Sequence, residues 1–267
     1  MTLFPNVVAR ALAGRARACL GLVALAAGLA IASPALAQGG VRNAAVARES
    51  AQAFRVYVEG VSKKGGRPEL TRPEVAALLG RVFDLDALSA LPPAQASDIE
   101  WLLDWVDAAN TVGKLFTRYG SKQESQPDFT ALARNMTEYE DQYAVAMNFM
   151  IRALARQAVS SQLFLASLAP EQRTPVRERG FAGARSSAVE FIMAAICSAV
   201  QGSSKPANAR LVATAIRDTS EVWADYFLPQ DRARVIAGFS DLSRQVPDEK
   251  ARTDIAAFIA ALRAVNI

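Results

Sequence analysis

The chain of 267 residues has 30 Lys and Arg against 26 Asp and Glu, and it contains no histidine. Without histidine, the Ser-His-Asp and Cys-His nucleophile systems, the usual His-containing zinc sites and axial His ligation of haem are excluded. Catalysis would have to use carboxylates, Tyr, Lys, Arg or Ser, so the composition favours a non-catalytic protein without a cofactor.

The first 37 residues follow the order of a secretory signal peptide. Three arginines occur without an acidic residue, an apolar stretch runs from about Ala18 to Ile31, and Ala35-Leu36-Ala37 forms a small-residue cleavage site. The apolar run is shorter than the roughly 20 residues that a membrane-spanning helix needs. We therefore predict a signal peptide over residues 1–37, and export by the general secretory route to the periplasm or the medium.

Cleavage changes the charge and the cysteine content of the chain. It removes three of the 30 basic residues and leaves 27 against 26 acidic ones. A nearly neutral mature chain without a long basic tract gives no reason to expect nucleic-acid binding. No later apolar run reaches spanning length, so we expect no transmembrane segment in the mature chain. Only Cys197 remains, either as a buried thiol or as one that pairs with another chain.

The mature sequence predicts one helix after another. An apolar stripe at helical spacing indicates a helix over 43–63, and capping-box sequences that begin at Thr71 and Ser97 predict the starts of the next two. Segment 64–96 is rich in Gly and Pro, which predicts a flexible connection.

Proline marks most of the later helix boundaries. Residues 128–168 predict one long helix, or two with a kink, before Pro170. Because proline is tolerated in a first turn, further helices are expected near Pro175, Pro206, Pro229 and Pro247. No segment shows the alternation typical of a strand. We therefore expect a single all-α domain over residues 38–267, a bundle of about seven to eight helices with one long central helix.

Two acidic residues lie among apolar or small neighbours. Glu140 falls in an apolar seam of the predicted long helix, and Glu190 shares its helix face with small residues. If these helices pack together, the two carboxylates would meet in an apolar environment, where one pKa would rise or a hard cation would bind. Alternatively, each carboxylate pairs with an arginine, such as Arg152 or Arg185, or reaches water at a helix edge.

Trp101 and Trp105 lie one helical turn apart and share a face, while acidic residues take the opposite side. Such a division is typical of a helix laid on a core. The other interpretation is an exposed aromatic groove for a partner.

The sequence predicts an extensive helical surface and contains few residues with recognisable catalytic motifs. We therefore expect an exported helical protein with a non-catalytic binding or accessory role in the cell envelope, where its partner would be a protein or a small molecule. The alternative is a carboxylate-dependent enzyme or a cation-binding protein that uses Glu140 and Glu190.

Overall fold

The computed structural model describes residues 37–121, 128–201 and 204–265, and all of their regular structure is helical. No strand occurs in these ranges, so the all-α prediction is confirmed for this part of the chain. The predicted signal peptide, apart from Ala37, lies outside the described residues.

The helices follow each other closely along the chain. The first five are α1 (Ala37–Lys63), α2 (Pro73–Val82), α3 (Leu85–Ser89), α4 (Ile99–Thr117) and α5 (Phe129–Glu138). The others are α6 (Glu140–Ser167), α7 (Pro175–Gln201), α8 (Pro206–Asp218), α9 (Ser220–Tyr226), α10 (Pro229–Ser243) and α11 (Glu249–Ala264). Two short 3₁₀ helices, Ala96–Asp98 and Pro170–Gln172, precede α4 and α7.

The described residues form more α-helices than the seven to eight expected. Two predicted helices are each divided in two, and α3 is an additional short helix. The long segment 128–168 breaks at Tyr139, and the helix expected from Pro206 onward breaks at Thr219. Helix α6 has 28 residues, while α1 and α7 have 27 each.

Both interruptions are stabilised by side-chain hydrogen bonds. The Tyr139 hydroxyl donates to the Pro68 carbonyl at 2.9 Å, which fixes the residue between α5 and α6. The Thr219 hydroxyl donates to the Ala215 carbonyl at 2.8 Å and accepts the Trp223 indole N–H at 2.9 Å. The bond from Thr219 to the carbonyl four residues earlier competes with the regular backbone hydrogen bonds of the helix and favours a bend.

Proline lies in the first turn of α2, α7, α8 and α10, as its tolerance at that position predicts. The capping box predicted at Thr71 is wrong, because α2 has Arg72 as its N-cap and no side-chain capping bond. The second box is shifted toward the N-terminus: Asp98 accepts a hydrogen bond from the Gln95 N–H at 3.1 Å, ahead of α4.

Two hydrophobic clusters form most of the core, and α6 contributes to both. The first cluster joins α1 to α4 with Phe149 and Met150 of α6. The second joins α7 to α11 with Ile151 and Ala155 of the same helix. Helix α6 therefore buries side chains on more than one face, which explains why few of its residues are polar and exposed.

Segment 64–96 contains α2 and α3 and contributes several side chains to the first cluster, namely Leu70, Val75, Leu79, Val82, Phe83 and Leu88. The hydroxyls of Tyr57, Tyr119 and Tyr139 each bond to the backbone of the loop at 64–70, at 2.8, 2.7 and 2.9 Å. These bonds attach the loop to α1, to the end of α4 and to the start of α6.

Candidate functional site

Trp101 and Trp105 lie on the buried face of α4. Trp105 is 1% exposed, its indole N–H donates to the Val82 carbonyl at 2.9 Å, and its ring centre is 5.3 Å from that of Phe149. Trp101 is covered by α1, where a β-carbon on Gly40 would lie 2.5 Å from the indole ring. The two rings therefore pack in the interior and do not line an exposed groove in this structure.

Trp101 also packs against Arg156 of α6, whose guanidinium carbon lies 5.7 Å from the ring centre. Arg156 donates to the Asp98 carboxylate at 2.8 Å and to the Pro92 carbonyl at 2.7 Å. The Asp98 side chain is 7% exposed, so this ion pair is largely desolvated and leaves neither charge unpaired. Its role is to join α6 to the 3₁₀ helix that precedes α4.

Glu140 begins α6, and its carboxylate contacts the segment that leads into α8. Ser204 donates its backbone N–H at 3.1 Å and its hydroxyl at 2.9 Å, and the Lys205 ammonium lies 3.6 Å away. Hydrogen bonds from Lys205 and Asn208 lower the pKa of the adjacent Asp141. The two acidic residues therefore hold the start of α8 against the start of α6.

Glu190 has a different partner, because its carboxylate lies 2.5 Å from a guanidinium nitrogen of Arg234 in α10. Neither arginine named as a partner from the sequence pairs with it: Arg152 binds Asp218 at 2.7 Å, and Arg185 faces a cavity. Within the described residues, no group of three or more His, Cys, Asp or Glu side chains could hold a metal ion. The two carboxylates are thus each bound to a separate basic group.

A cavity of about 420 Å³, partly open to solvent, lies between the end of α6 and the first half of α7. Its lining residues are Leu165, Ala166, Arg173, Glu178, Phe181, Ala182 and Arg185. Phe181 is buried in a third, small hydrophobic cluster with Ile99, Phe164 and Leu168. One wall of the cavity is therefore apolar and fixed by packing.

Arg185 lines the cavity and carries one buried polar atom that is not satisfied in the part of the chain that the structure describes. The Arg185 Nε–H is buried and makes no hydrogen bond there, and its guanidinium carbon lies 5.4 Å from the Tyr226 ring centre in α9. An unsatisfied buried donor costs roughly 1–3 kcal/mol. An acceptor within hydrogen-bond distance of this N–H would remove that cost.

The cavity residues were not predicted from the sequence, although α7 carries a signal for them. Glu178, Phe181, Ala182 and Arg185 follow the spacing i, i+3, i+4, i+7 and so share one helix face. Leu165 lies on the neighbouring helix, and only the turn between α6 and α7 brings it opposite that face.

Helix α7 also contains a long apolar stretch. By length and composition, residues Pro175–Cys197 could cross a membrane, and 39% of the apolar window is buried in the structure. The core helix of a soluble protein passes the same test. Ile192 and Ile196 are buried in the second cluster, whereas Val176 is 65% exposed. The second half of α7 therefore belongs to the core, and its first half lies largely at the surface.

No protein-family model, curated protein or solved structure matches this chain. The described part of the chain is all-α and has a small, partly apolar cavity whose lining includes Arg173, Glu178 and Arg185.

Proposed function

We propose that this chain is an exported, non-catalytic binding protein of the periplasm. Its ligand is a small monoanion with an apolar body, held in the cavity between α6 and α7. Arg185 is the main support for this proposal, because it lines the cavity and its buried Nε–H makes no hydrogen bond within the described residues.

The lining defines the size and charge of the ligand. A volume of about 420 Å³ lies near the lower end of the range for small-molecule sites, roughly 300–1,000 Å³. The guanidinium groups of Arg173 and Arg185 suit a carboxylate, which accepts two parallel hydrogen bonds. Glu178 reduces the formal charge of the lining to +1, so a single negative charge balances it.

The apolar lining defines the rest of the ligand. Leu165, Phe181 and two alanines offer no hydrogen-bonding side chain, so they favour an alkyl or aromatic body over a sugar or a peptide. We therefore propose a monocarboxylate with an alkyl or aromatic body.

The sequence supports export to the periplasm and a non-catalytic role. The signal-peptide pattern of residues 1–37 favours export, and the absence of histidine removes the common catalytic mechanisms. An enzyme or a cation site built on Glu140 and Glu190 would first have to break their contacts with Ser204 and Arg234. Those contacts favour a structural role for the two carboxylates.

A titration with three matched compounds tests the proposal. Octanoate has the proposed charge and body, octanol lacks the charge, and citrate carries several charges without an apolar body. We expect saturable octanoate binding by calorimetry, with an increase in melting temperature because the ligand binds only the folded state. Octanol and citrate are expected to bind much more weakly.

A pair of variants locates the site. Arg185→Gln is expected to weaken octanoate binding roughly 10- to 150-fold, since a hydrogen bond to a charged group contributes about 1.5–3 kcal/mol. Arg179→Gln removes the same charge from the same helix at a position that does not line the cavity. An equal loss in both variants, or no octanoate binding by the unaltered protein, would contradict the proposal.

A further inference from the structure

The turn between α6 and α7 concentrates positive charge in a chain that is nearly neutral. Residues 168–185 contain two glutamates, at positions 171 and 178, and four arginines, Arg173, Arg177, Arg179 and Arg185. Arg173 and Arg179 are exposed. Arg177 donates to the Gln172 carbonyl at 2.8 Å, which holds its guanidinium at the turn. The local charge of +2 exceeds the +1 expected for the entire mature chain.

Large apolar side chains are exposed near the same turn. Val176, in the first turn of α7, is 65% exposed, and Leu163, in the last turns of α6, is 43% exposed. Basic and apolar side chains exposed together are typical of elements that lie in the interface of a lipid bilayer.

The turn is attached to the rest of the molecule by little buried surface. Phe181 is the one buried residue between positions 175 and 187, and its small cluster is separate from the two main ones. The first half of α7 therefore presents most of its surface to solvent.

We infer that the turn between α6 and α7 docks on a bilayer surface that contains anionic lipid. Guanidinium groups of Arg177 and Arg179 bond to the phosphates, and Val176 enters the interfacial region. Nucleic acid fits less well, because it would require a larger positive charge and would leave the exposed apolar side chains without a role. This docking does not depend on the proposed carboxylate ligand, although it would bring the cavity close to lipid-derived carboxylates.

Vesicle sedimentation tests the docking. The unaltered protein is expected to sediment with phosphatidylcholine vesicles that contain phosphatidylglycerol, to remain in solution with phosphatidylcholine alone, and to dissociate as salt is raised. The double variant Arg177→Gln/Arg179→Gln should lower the partition coefficient about 25-fold, at roughly fivefold for each arginine. The control Arg42→Gln/Arg55→Gln removes two exposed arginines from α1 and should change it less than about twofold.

The outcomes separate docking from ligand binding. Equal losses in the two double variants would show a general charge effect and would overturn the inference, as would equal binding to both kinds of vesicle. Arg177→Lys/Arg179→Lys should retain vesicle binding, which controls for misfolding of the Gln variant. Neither arginine lines the cavity, so the Gln variant is expected to bind octanoate normally. Vesicle binding by a protein that does not bind octanoate would overturn the cavity proposal alone.

Discussion

Removal of the Trp105 side chain should destabilise the fold strongly. Trp105→Ala deletes a ring that is 1% exposed and that packs against Phe149 and Trp101, with ring centres 5.3 and 6.4 Å away. Truncation of a large buried aromatic residue costs roughly 3–5 kcal/mol. The upper half of that range is expected, because the Val82 carbonyl also loses its indole donor. Trp105→Phe keeps most of the packing and should cost about 1–2.5 kcal/mol.

Urea unfolding, followed by circular dichroism and by the fluorescence of Trp101 and Trp223, measures these losses. Val56→Ala on α1 is the control, because Val56 is 59% exposed and surface substitutions usually change stability by less than about 0.5 kcal/mol. A loss below about 1 kcal/mol for Trp105→Ala would refute core burial. Such a result would favour the other interpretation, in which the two tryptophans line an exposed groove for a partner.

Three further predictions concern the buried amide of Asn135, the loss of stability at acid pH and the cleavage of the signal peptide. Asn135→Ala should lower the free energy of unfolding by about 2–4 kcal/mol in urea, because this fully buried amide makes three hydrogen bonds; a loss under about 1 kcal/mol would contradict it. A hydrogen bond from Arg210 lowers the pKa of Asp248 from 3.8 to about 2. Its stabilising contribution should be complete above pH 3.8 and lost as the pH falls through 2, and an unchanged acid slope in Asp248→Asn would refute this. N-terminal sequencing of the exported protein should begin at or within a residue or two of Gln38, whereas Met1 or Thr2 would exclude cleavage.

The helical fold could be predicted from the sequence wherever local signals decide the structure. Proline at Pro175, Pro206 and Pro229 places the starts of α7, α8 and α10 correctly, because the missing N–H restricts proline to the first turn. The sequence allows a kink within residues 128–168, but its position at Tyr139 and the interruption at Thr219 could not be predicted, since neither residue breaks a helix by itself. A bond to Pro68, 71 positions away along the chain, and a bond to Trp223, in the following turn, stabilise these bends.

The candidate site was much harder to predict than the helices. Glu140 and Glu190 are charged residues among apolar or small neighbours, but partners on other segments decide what such charges do. Ser204 and Arg234 lie 64 and 44 positions away along the chain, and no helical spacing connects them. The cavity could not be predicted for the same reason, because it depends on how tightly the chain turns between α6 and α7.

The proposed role of Arg185 is to bind an anion in the cavity. Its most direct test is an NMR titration of isotope-labelled protein with octanoate, in which the Arg185 Nε–H signal is assigned and followed. We expect a saturable downfield shift of that signal over the same octanoate concentrations that raise the melting temperature, and no such shift with octanol. A signal that stays unchanged while octanoate stabilises the protein would contradict this role of Arg185, because the carboxylate would then bind elsewhere.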